Sequence, residues 1–152
     1  LFPFYLDSKD GYITSKFTSK VSLGIADYPM CRLAEAYLIE AECLLKGSQP
    51  DVVKGLQILN ALRVKRGESQ LTSAQFTSDE IWKERRRELY GEGFALSDIK
   101  RLQKPLERVG EEHWSDVITL PANSPRMMFP IPADELDYNK SATSDDQNEY
   151  WR

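Results

Sequence analysis

The residues best equipped for chemistry lie between Lys83 and Arg101, where six basic and four acidic side chains fall within nineteen residues. Glu88 and Glu92 are four residues apart, so on a helix both carboxylates would stand on one face. Such a pair suggests a general acid and a general base, and a glycoside hydrolase would hold its two carboxylates about 5 to 10 Å apart. A general acid needs a raised pKa. The neighbouring arginines would instead lower the pKa of both glutamates, which favours a structural role over catalysis.

The charges of this segment fall on the face that should point inward. The apolar stripe that starts at Trp82 steps through Arg85 and on to Leu89, at the spacing of an amphipathic helix. Arg85 is three residues from Glu88 and seven from Glu92, which predicts one guanidinium lying between two carboxylates. The predicted structural ion-pair network comprises Arg85, Arg86, Glu88, Glu92, Asp98 and Arg101.

Two glycines, Gly91 and Gly93, interrupt this helical pattern. Each costs a helix about 1 kcal/mol relative to alanine, so they predict a bend or a close approach of another backbone. A phosphate-binding loop places its glycines between a strand and a helix start, which is not the position here. No cofactor is predicted. No metal site is predicted either, because the one histidine, His113, has no cysteine or histidine near it in sequence.

The elements that must position these charges are helices. Apolar residues recur at steps of three and four from Cys31 to Lys46, and a second such run extends from Val52 to Arg66. Ser48, with Asp51 three residues later, fits the capping pattern of the second helix start. Two helices joined by so short a turn must pack antiparallel. A third helix is predicted from Thr77, which forms a capping-box pattern with Glu80.

This hairpin resembles a tetratricopeptide repeat, with large and small residues at Tyr37, Ala41, Gly47 and Ala61. A lone hairpin leaves an apolar face bare and therefore needs neighbours. Beyond Arg101 the prolines and short apolar runs predict loops and strand fragments. The predicted fold is mainly α, a tetratricopeptide-like helical hairpin scaffold with irregular loops and short strand segments.

Composition excludes several classes of function. The chain has 152 residues, which fits a single domain over 1–152, and a net charge of −4, which argues against nucleic-acid binding. Its apolar runs are too short for a membrane span. Cys31 and Cys43 would lie about 18 Å apart on the first helix at ~1.5 Å per residue, which predicts two free thiols.

Four blocks, in order, resemble the SusD/RagB family of outer-membrane nutrient-binding lipoproteins. "DYPMCRLAEAYLIEAECLL" is similar to a family helix, "ALRVKRG" to a family helix ending, "KERRRELYGEGFALSDIKR" to an "E-R-R-x-E-L-x-x-E-G" block, and "FPIPADELDYNKSATSDDQNEYW" to the family's closing "P-I-P…Q-N". Two positions depart from the pattern: Ala95 replaces the usual arginine, and "QNEYW" stands where "Q-N-P-G-Y" is common. The first departure puts one ion pair of the family's network in doubt.

The resemblance implies a C-terminal fragment of a protein roughly three times as long. It implies cell-surface binding of a glycan or other nutrient, without catalysis, for delivery to a SusC-like TonB-dependent outer-membrane transporter. The membrane would be reached only through a lipid anchor outside this chain. The alternative interpretation is a tetratricopeptide-like scaffold that binds a partner protein and has no ligand of its own.

A glycan site would combine an aromatic ring, which packs against sugar C–H groups, with side chains that hydrogen-bond hydroxyls. The segment from Lys104 to Met128 holds such residues, but packing beneath a loop competes as an interpretation of its tryptophan. The candidate ligand-binding residues are Trp114, His113, Asp116, Asn123 and Arg126.

Overall fold

The structure is a computed structural model, and it describes residues 4–6, 12–14, 16, 30–109 and 119–151. The chain divides into two compact units, Leu1–Glu92 and Gly93–Arg152. Helices predominate, which confirms the predicted mainly α fold. The prediction of a single domain over 1–152 stays a prediction. Across the described ranges, no helix is both long enough and apolar enough to cross a bilayer.

The first unit contains a small hairpin and three helices. Strands β1 and β2 pair antiparallel, with Tyr5 opposite Ile13. Helix α1 packs against both α2 and α3. The elements in chain order are β1 (Phe4–Leu6), β2 (Tyr12–Thr14), α1 (Leu33–Lys46), α2 (Val52–Lys65), a 3-10 turn (Ser73–Gln75) and α3 (Ser78–Glu88).

The predicted hairpin of α1 and α2 is confirmed, and its apolar stripes explain it. On α1 the buried residues are Ala34, Leu38 and Ala41, which recur at steps of four and three. The start of α2 differs from the prediction. Asp51 itself is the N-cap, and its side chain accepts a hydrogen bond of 3.0 Å from the Lys54 amide, so Ser48 is not the cap.

Helix α3 begins at the predicted cap. The Thr77 side chain accepts a hydrogen bond of 3.2 Å from the Glu80 amide. Phe76, the residue before the cap, is buried against α2, where a Cβ added at Gly55 would lie 2.9 Å from its ring. The absence of a side chain at Gly55 therefore lets the segment that leads into α3 pack closely on α2.

The second unit consists of short elements. Strands β3 and β4 pair antiparallel, with Leu106 opposite Leu120, in agreement with the predicted strand fragments. The elements in order are α4 (Phe94–Arg101), β3 (Leu106–Glu107), β4 (Thr119–Leu120), a 3-10 turn (Pro125–Met127), α5 (Ala133–Tyr138) and two 3-10 turns (Ser144–Asp146 and Glu149–Trp151).

The closing segment is held by amides bonding to backbone. The Gln147 side chain accepts a hydrogen bond from the Ile131 amide at 2.8 Å and donates one to the Ile131 carbonyl at 3.0 Å. Asn148 donates to the carbonyl of Phe129. Residues 127–129 lie in the region where the sequence predicts loops and strand fragments, but they form no strand. Instead Met127 ends a 3-10 turn and is buried, whereas Phe129 is 78% exposed, because this segment pairs with side-chain amides rather than with another strand.

The predicted bend at the two glycines is a complete break between α3 and α4. Gly91 and Gly93 have φ of 76° and 86°, in the left-handed region, and Gly93 is the N-cap of α4.

Gly93→Ala should lower the free energy of unfolding by about 1 to 2 kcal/mol, because an L side chain is strained at this φ. Gly93→Asn is the matched control. Asparagine tolerates the left-handed region, so it should cost less than alanine in urea unfolding, and equal costs would contradict the backbone explanation.

Candidate functional site

Three helix ends and a turn bring Glu88 and Glu92 to one place. Because α1 and α2 are antiparallel, Arg32 at the start of α1 lies near Arg66, the C-cap of α2. Glu88 is the last residue of α3, and Glu92 lies in the turn that follows. Lys16, from the N-terminal part of the chain, completes the group. We call Lys16, Arg32, Arg66, Glu88 and Glu92 the charge cluster.

Arg32 binds both carboxylates of the charge cluster. Its Nη1 donates to Glu88 Oε1 at 3.0 Å, and its Nε and Nη2 donate to Glu92 Oε1 at 3.0 and 2.6 Å. Arg66 binds the Glu88 carboxylate through two hydrogen bonds, which Nε donates to Oε2 at 2.8 Å and Nη2 donates to Oε1 at 2.7 Å. Planar forks of this kind give the strong, oriented pairs for which arginine is suited.

Lys16 binds the end of α3 as well as Glu92. Its ammonium donates to the carbonyls of Glu88 at 3.0 Å and Tyr90 at 2.8 Å, and it pairs with the Glu92 carboxylate. Arg32 Nη2 also donates to the Glu88 carbonyl, at 2.8 Å. Carbonyls at a helix C-terminus have no partner within the helix. The cations of the charge cluster therefore supply the end of α3 with hydrogen bonds.

The predicted bridge from Arg85 to both carboxylates is wrong. Arg85 is buried, but the cations on the Glu88 carboxylate are Arg32 and Arg66. The physical reason is that α3 ends at Glu88, so the helical spacing that would align Arg85 with Glu92 does not continue. The partners come instead from α1 and α2.

The structure also describes contacts of the other members of the predicted network. Arg86 places its guanidinium 4.9 Å from the centre of the Trp82 ring, a cation–π contact. Asp98 and Arg101 form an ion pair of 2.8 Å within α4. Their roles in one shared network stay a prediction.

The sequence did not predict a second buried ion pair. Arg63 of α2 pairs with Glu84 of α3, and both side chains are less than 9% exposed. Arg63 also donates from Nε to the Ser69 carbonyl at 2.7 Å. The available signal was that both residues fall on the inward stripe of their helices, but periodicity does not say which charges meet.

The electrostatics of the charge cluster oppose acid catalysis. Burial would raise the pKa of Glu88, but hydrogen bonds from Arg66 and Arg32 outweigh it, and the pKa is lowered. Burial likewise acts to raise the pKa of Glu92, and hydrogen bonds from Arg32 and Lys16 lower it overall. A catalytic acid requires the opposite shift. The arrangement is suited to holding three helix ends together.

These shifts predict that acid destabilises the fold. A carboxyl whose folded-state pKa lies below its unfolded value stabilises the protein above that unfolded value, and this contribution is lost as the pH falls. The free energy of unfolding should therefore decrease progressively below about pH 5. Urea unfolding at several pH values measures this. Glu88→Gln should show a shallower decrease because one of the two carboxylates no longer titrates, and an unchanged slope would contradict the assignment.

Of the candidate ligand-binding residues, the structure describes Asn123 and Arg126. Asn123 is exposed at a φ of 61°, in the turn before the Pro125–Met127 segment. The guanidinium of Arg126 lies 5.0 Å from the centre of the Tyr150 ring. Tyr150 in turn meets Trp151 edge to face at 5.0 Å. The candidates His113, Trp114 and Asp116 lie outside the described residues.

Trp151 attaches the C-terminal 3-10 turn to the segment around Met128. The indole nitrogen of Trp151 donates to the Met128 carbonyl at 2.8 Å. Arg126, Tyr150 and Trp151 are all exposed. An aromatic ring and a guanidinium are groups that bind sugars. Within the described ranges, no group of three side chains is placed to hold a metal ion.

A family model described as the SusD family matches residues 6–151 of the chain. No curated protein matches. Among solved structures, a SusD superfamily protein from Bacteroides vulgatus is 33% identical, with a TM-score of 0.70, over 84% of this chain and 29% of that one. One from Bacteroides thetaiotaomicron is 32% identical, with a TM-score of 0.72, over 82% and 28%.

A third structure, a SusD-like carbohydrate binding protein from Bacteroides vulgatus, is 26% identical, with a TM-score of 0.66. The match covers 86% of this chain and 33% of that one. The chain thus spans about a third or less of the length of each of these relatives.

Proposed function

The chain belongs to the SusD family, and from that membership we propose that the whole protein binds a carbohydrate and does not cleave it. The observation that carries the proposal is the family match over nearly the full chain, together with likeness to a solved carbohydrate binding protein. The binding role is supported by these relatives.

We propose further that the protein acts at the outer surface of the outer membrane. There it would hand an oligosaccharide, or another nutrient, to a SusC-like TonB-dependent transporter. Anchoring would come from a lipid attached outside these 152 residues. This part of the proposal rests on the family resemblance.

The non-catalytic part rests on the charge cluster. Glu88 and Glu92 are the carboxylates whose spacing first suggested acid–base chemistry, and both are occupied by cations that lower their pKa. Side chains fixed in this way stabilise a helix junction rather than exchange protons with a substrate.

Binding is tested by screening the whole protein on a polysaccharide array and titrating the hits by calorimetry. Trp114→Ala and Arg126→Ala are the informative variants. If Trp114 stacks on the sugar and Arg126 hydrogen-bonds it, each variant should weaken affinity by about tenfold, since ~1.5 kcal/mol is the upper end for an aromatic contact beyond its buried area and the lower end for a hydrogen bond to a charged group. Unchanged affinity in Trp114→Ala would make that tryptophan a packing residue. The exposed Lys83→Met is the matched control, and its affinity should equal the unmodified protein's.

The alternative function, a tetratricopeptide-like scaffold for a partner protein, draws support from an open apolar groove on the hairpin of α1 and α2. It predicts no saturable binding of any oligosaccharide. Saturable binding of an oligosaccharide, on the array and by calorimetry, would therefore favour carbohydrate binding over the scaffold function.

A further inference from the structure

Two 3-10 turns of the second unit bring one cation and two aromatic rings together. The turn Pro125–Met127 packs against the turn Glu149–Trp151. The Arg126 guanidinium lies over the Tyr150 ring, 5.0 Å from its centre, and the centres of the Tyr150 and Trp151 rings are 5.0 Å apart. The guanidinium is therefore no farther from the indole than these two distances together, which is within the reach of a disaccharide. We call Arg126, Tyr150 and Trp151 the closing-turn site.

The two rings of the closing-turn site are held in place and are still exposed. The indole nitrogen of Trp151 is fixed by its hydrogen bond to the Met128 carbonyl, and the Tyr150 ring packs on the indole edge to face. Tyr150 and Trp151 are nevertheless each 45% exposed. A ring that is already held loses little conformational entropy when a ligand packs on it. The indole therefore offers a fixed apolar surface to the C–H groups of a sugar.

Arg126 has hydrogen-bond donors to offer to a ligand. Among the residues that the structure describes, its side chain makes no ion pair and no hydrogen bond, and the contact that positions it is the one with the Tyr150 ring. A guanidinium carries five N–H donors in a planar fork. Adjacent hydroxyl groups of a pyranose ring can accept two hydrogen bonds from such a fork. The cation–π contact orients the guanidinium and occupies none of its N–H donors.

The charge of the closing segment favours an uncharged sugar over an acidic one. Residues 133–151 carry six acidic side chains and one lysine, and the exposed Glu149 directly precedes Tyr150. Exposed charges act on one another over about 8 Å at physiological ionic strength. A uronic acid or a sulfated sugar would gain an ion pair with Arg126, but it would also be repelled by this excess of negative charge.

We propose that the closing-turn site binds an uncharged pyranose unit of the glycan. The indole of Trp151 packs on the C–H face of the sugar, and the Arg126 guanidinium donates hydrogen bonds to two adjacent hydroxyl groups. The inference rests on the proposed carbohydrate binding. It adds a place where one sugar unit is held and the class of glycan that the protein prefers.

The class of glycan is tested on an array that carries each neutral polysaccharide beside a form whose C6 hydroxyls are oxidised to carboxylates. Calorimetry of the whole protein then compares the two forms of the polysaccharide that binds best. The neutral form should bind at least about tenfold more tightly at low salt, and added salt should narrow the difference because it screens the repulsion. Equal or tighter binding of the oxidised form would overturn the preference for an uncharged sugar.

The residues are tested by calorimetry of variants with the neutral polysaccharide. Trp151→Ala removes the ring, and Arg126→Lys keeps the charge but removes the fork. Each should weaken affinity by about tenfold. Trp151→Phe keeps an aromatic ring and should bind more tightly than Trp151→Ala. The matched control is Tyr138→Ala, which removes an aromatic residue of the same unit that is 82% exposed and outside the closing-turn site, and its affinity should be unchanged.

Failure of this inference can be told apart from failure of the proposed function. Glycan binding with unchanged affinity in either Arg126→Lys or Trp151→Ala would overturn the closing-turn site and leave carbohydrate binding in place. No binding of any neutral or oxidised polysaccharide would overturn the proposed function, and this inference with it. If Trp151→Ala fails to fold, which circular dichroism would reveal, Arg126→Lys decides the outcome.

Discussion

Replacing Arg32 with methionine should lower the free energy of unfolding by about 3 kcal/mol, because the change breaks buried ion pairs and leaves charge behind. Arg32 donates to both carboxylates of the charge cluster, and the Glu88 and Glu92 side chains are only 6% and 2% exposed. Arg66 and Lys16 remain on the two glutamates, which keeps the expected loss at the lower end of the range for buried pairs. Urea unfolding measures the loss.

The matched control is Lys83→Met. Lys83 pairs with Glu80 at 3.1 Å, but its side chain is 54% exposed. An exposed ion pair contributes about 0 to 1 kcal/mol, so this variant should be close to the unmodified protein. If Arg32→Met proved no more destabilising than Lys83→Met, the charge cluster would not be a stabilising element.

Leu38→Ala should cost about 3 kcal/mol by a different mechanism. Leu38 is 0% exposed and lies on the stripe of α1 that packs within the hairpin. Removing its side-chain carbons loses buried apolar contact and leaves a cavity that the surrounding helices fill only in part. Val53→Ala, at an exposed position of α2, should change the free energy of unfolding by less than about 0.5 kcal/mol. A similar small change for Leu38→Ala would mean that the hairpin is not the core of the first unit.

Local signals in the sequence predicted the helices well. The steps of three and four along α1 and the Thr77 cap of α3 depend on residues within one turn, and these were confirmed. The cap of α2 was misplaced because Ser48 and Asp51 both fit the pattern, and backbone geometry decides between them. Gly91 and Gly93 predicted a bend, but two glycines in a helical pattern do not distinguish a bend from the end of the helix.

The partners in the ion pairs of the charge cluster could not be predicted from the sequence. Arg32 is 56 residues from Glu88, and Lys16 is 76 residues from Glu92. Helical periodicity places a charge on a face but does not say which distant charge meets it. Arg32 and Arg66 did stand in segments that resemble the SusD/RagB pattern, which was the available signal. Arg85 was favoured over them because it was close in sequence.

The candidate site for sugar has no sequence pattern of its own. Sugar-binding residues need no fixed spacing, since loops bring rings and amides together. Of the predicted set, the structure places Arg126 beside Tyr150, an aromatic residue outside that set. The pairing arises from contact between two turns more than twenty residues apart, which no local pattern contains.

The most direct test of a binding protein braced by the charge cluster is release of reducing ends from the polysaccharide identified on the array. The whole protein and its Glu88→Gln variant would each be incubated with that polysaccharide at saturating concentration. We expect no release above background from either protein, equal affinities for the polysaccharide, and lower stability for the variant. Release by the unmodified protein that is lost in a folded Glu88→Gln variant would contradict the binding role and make Glu88 a catalytic carboxylate.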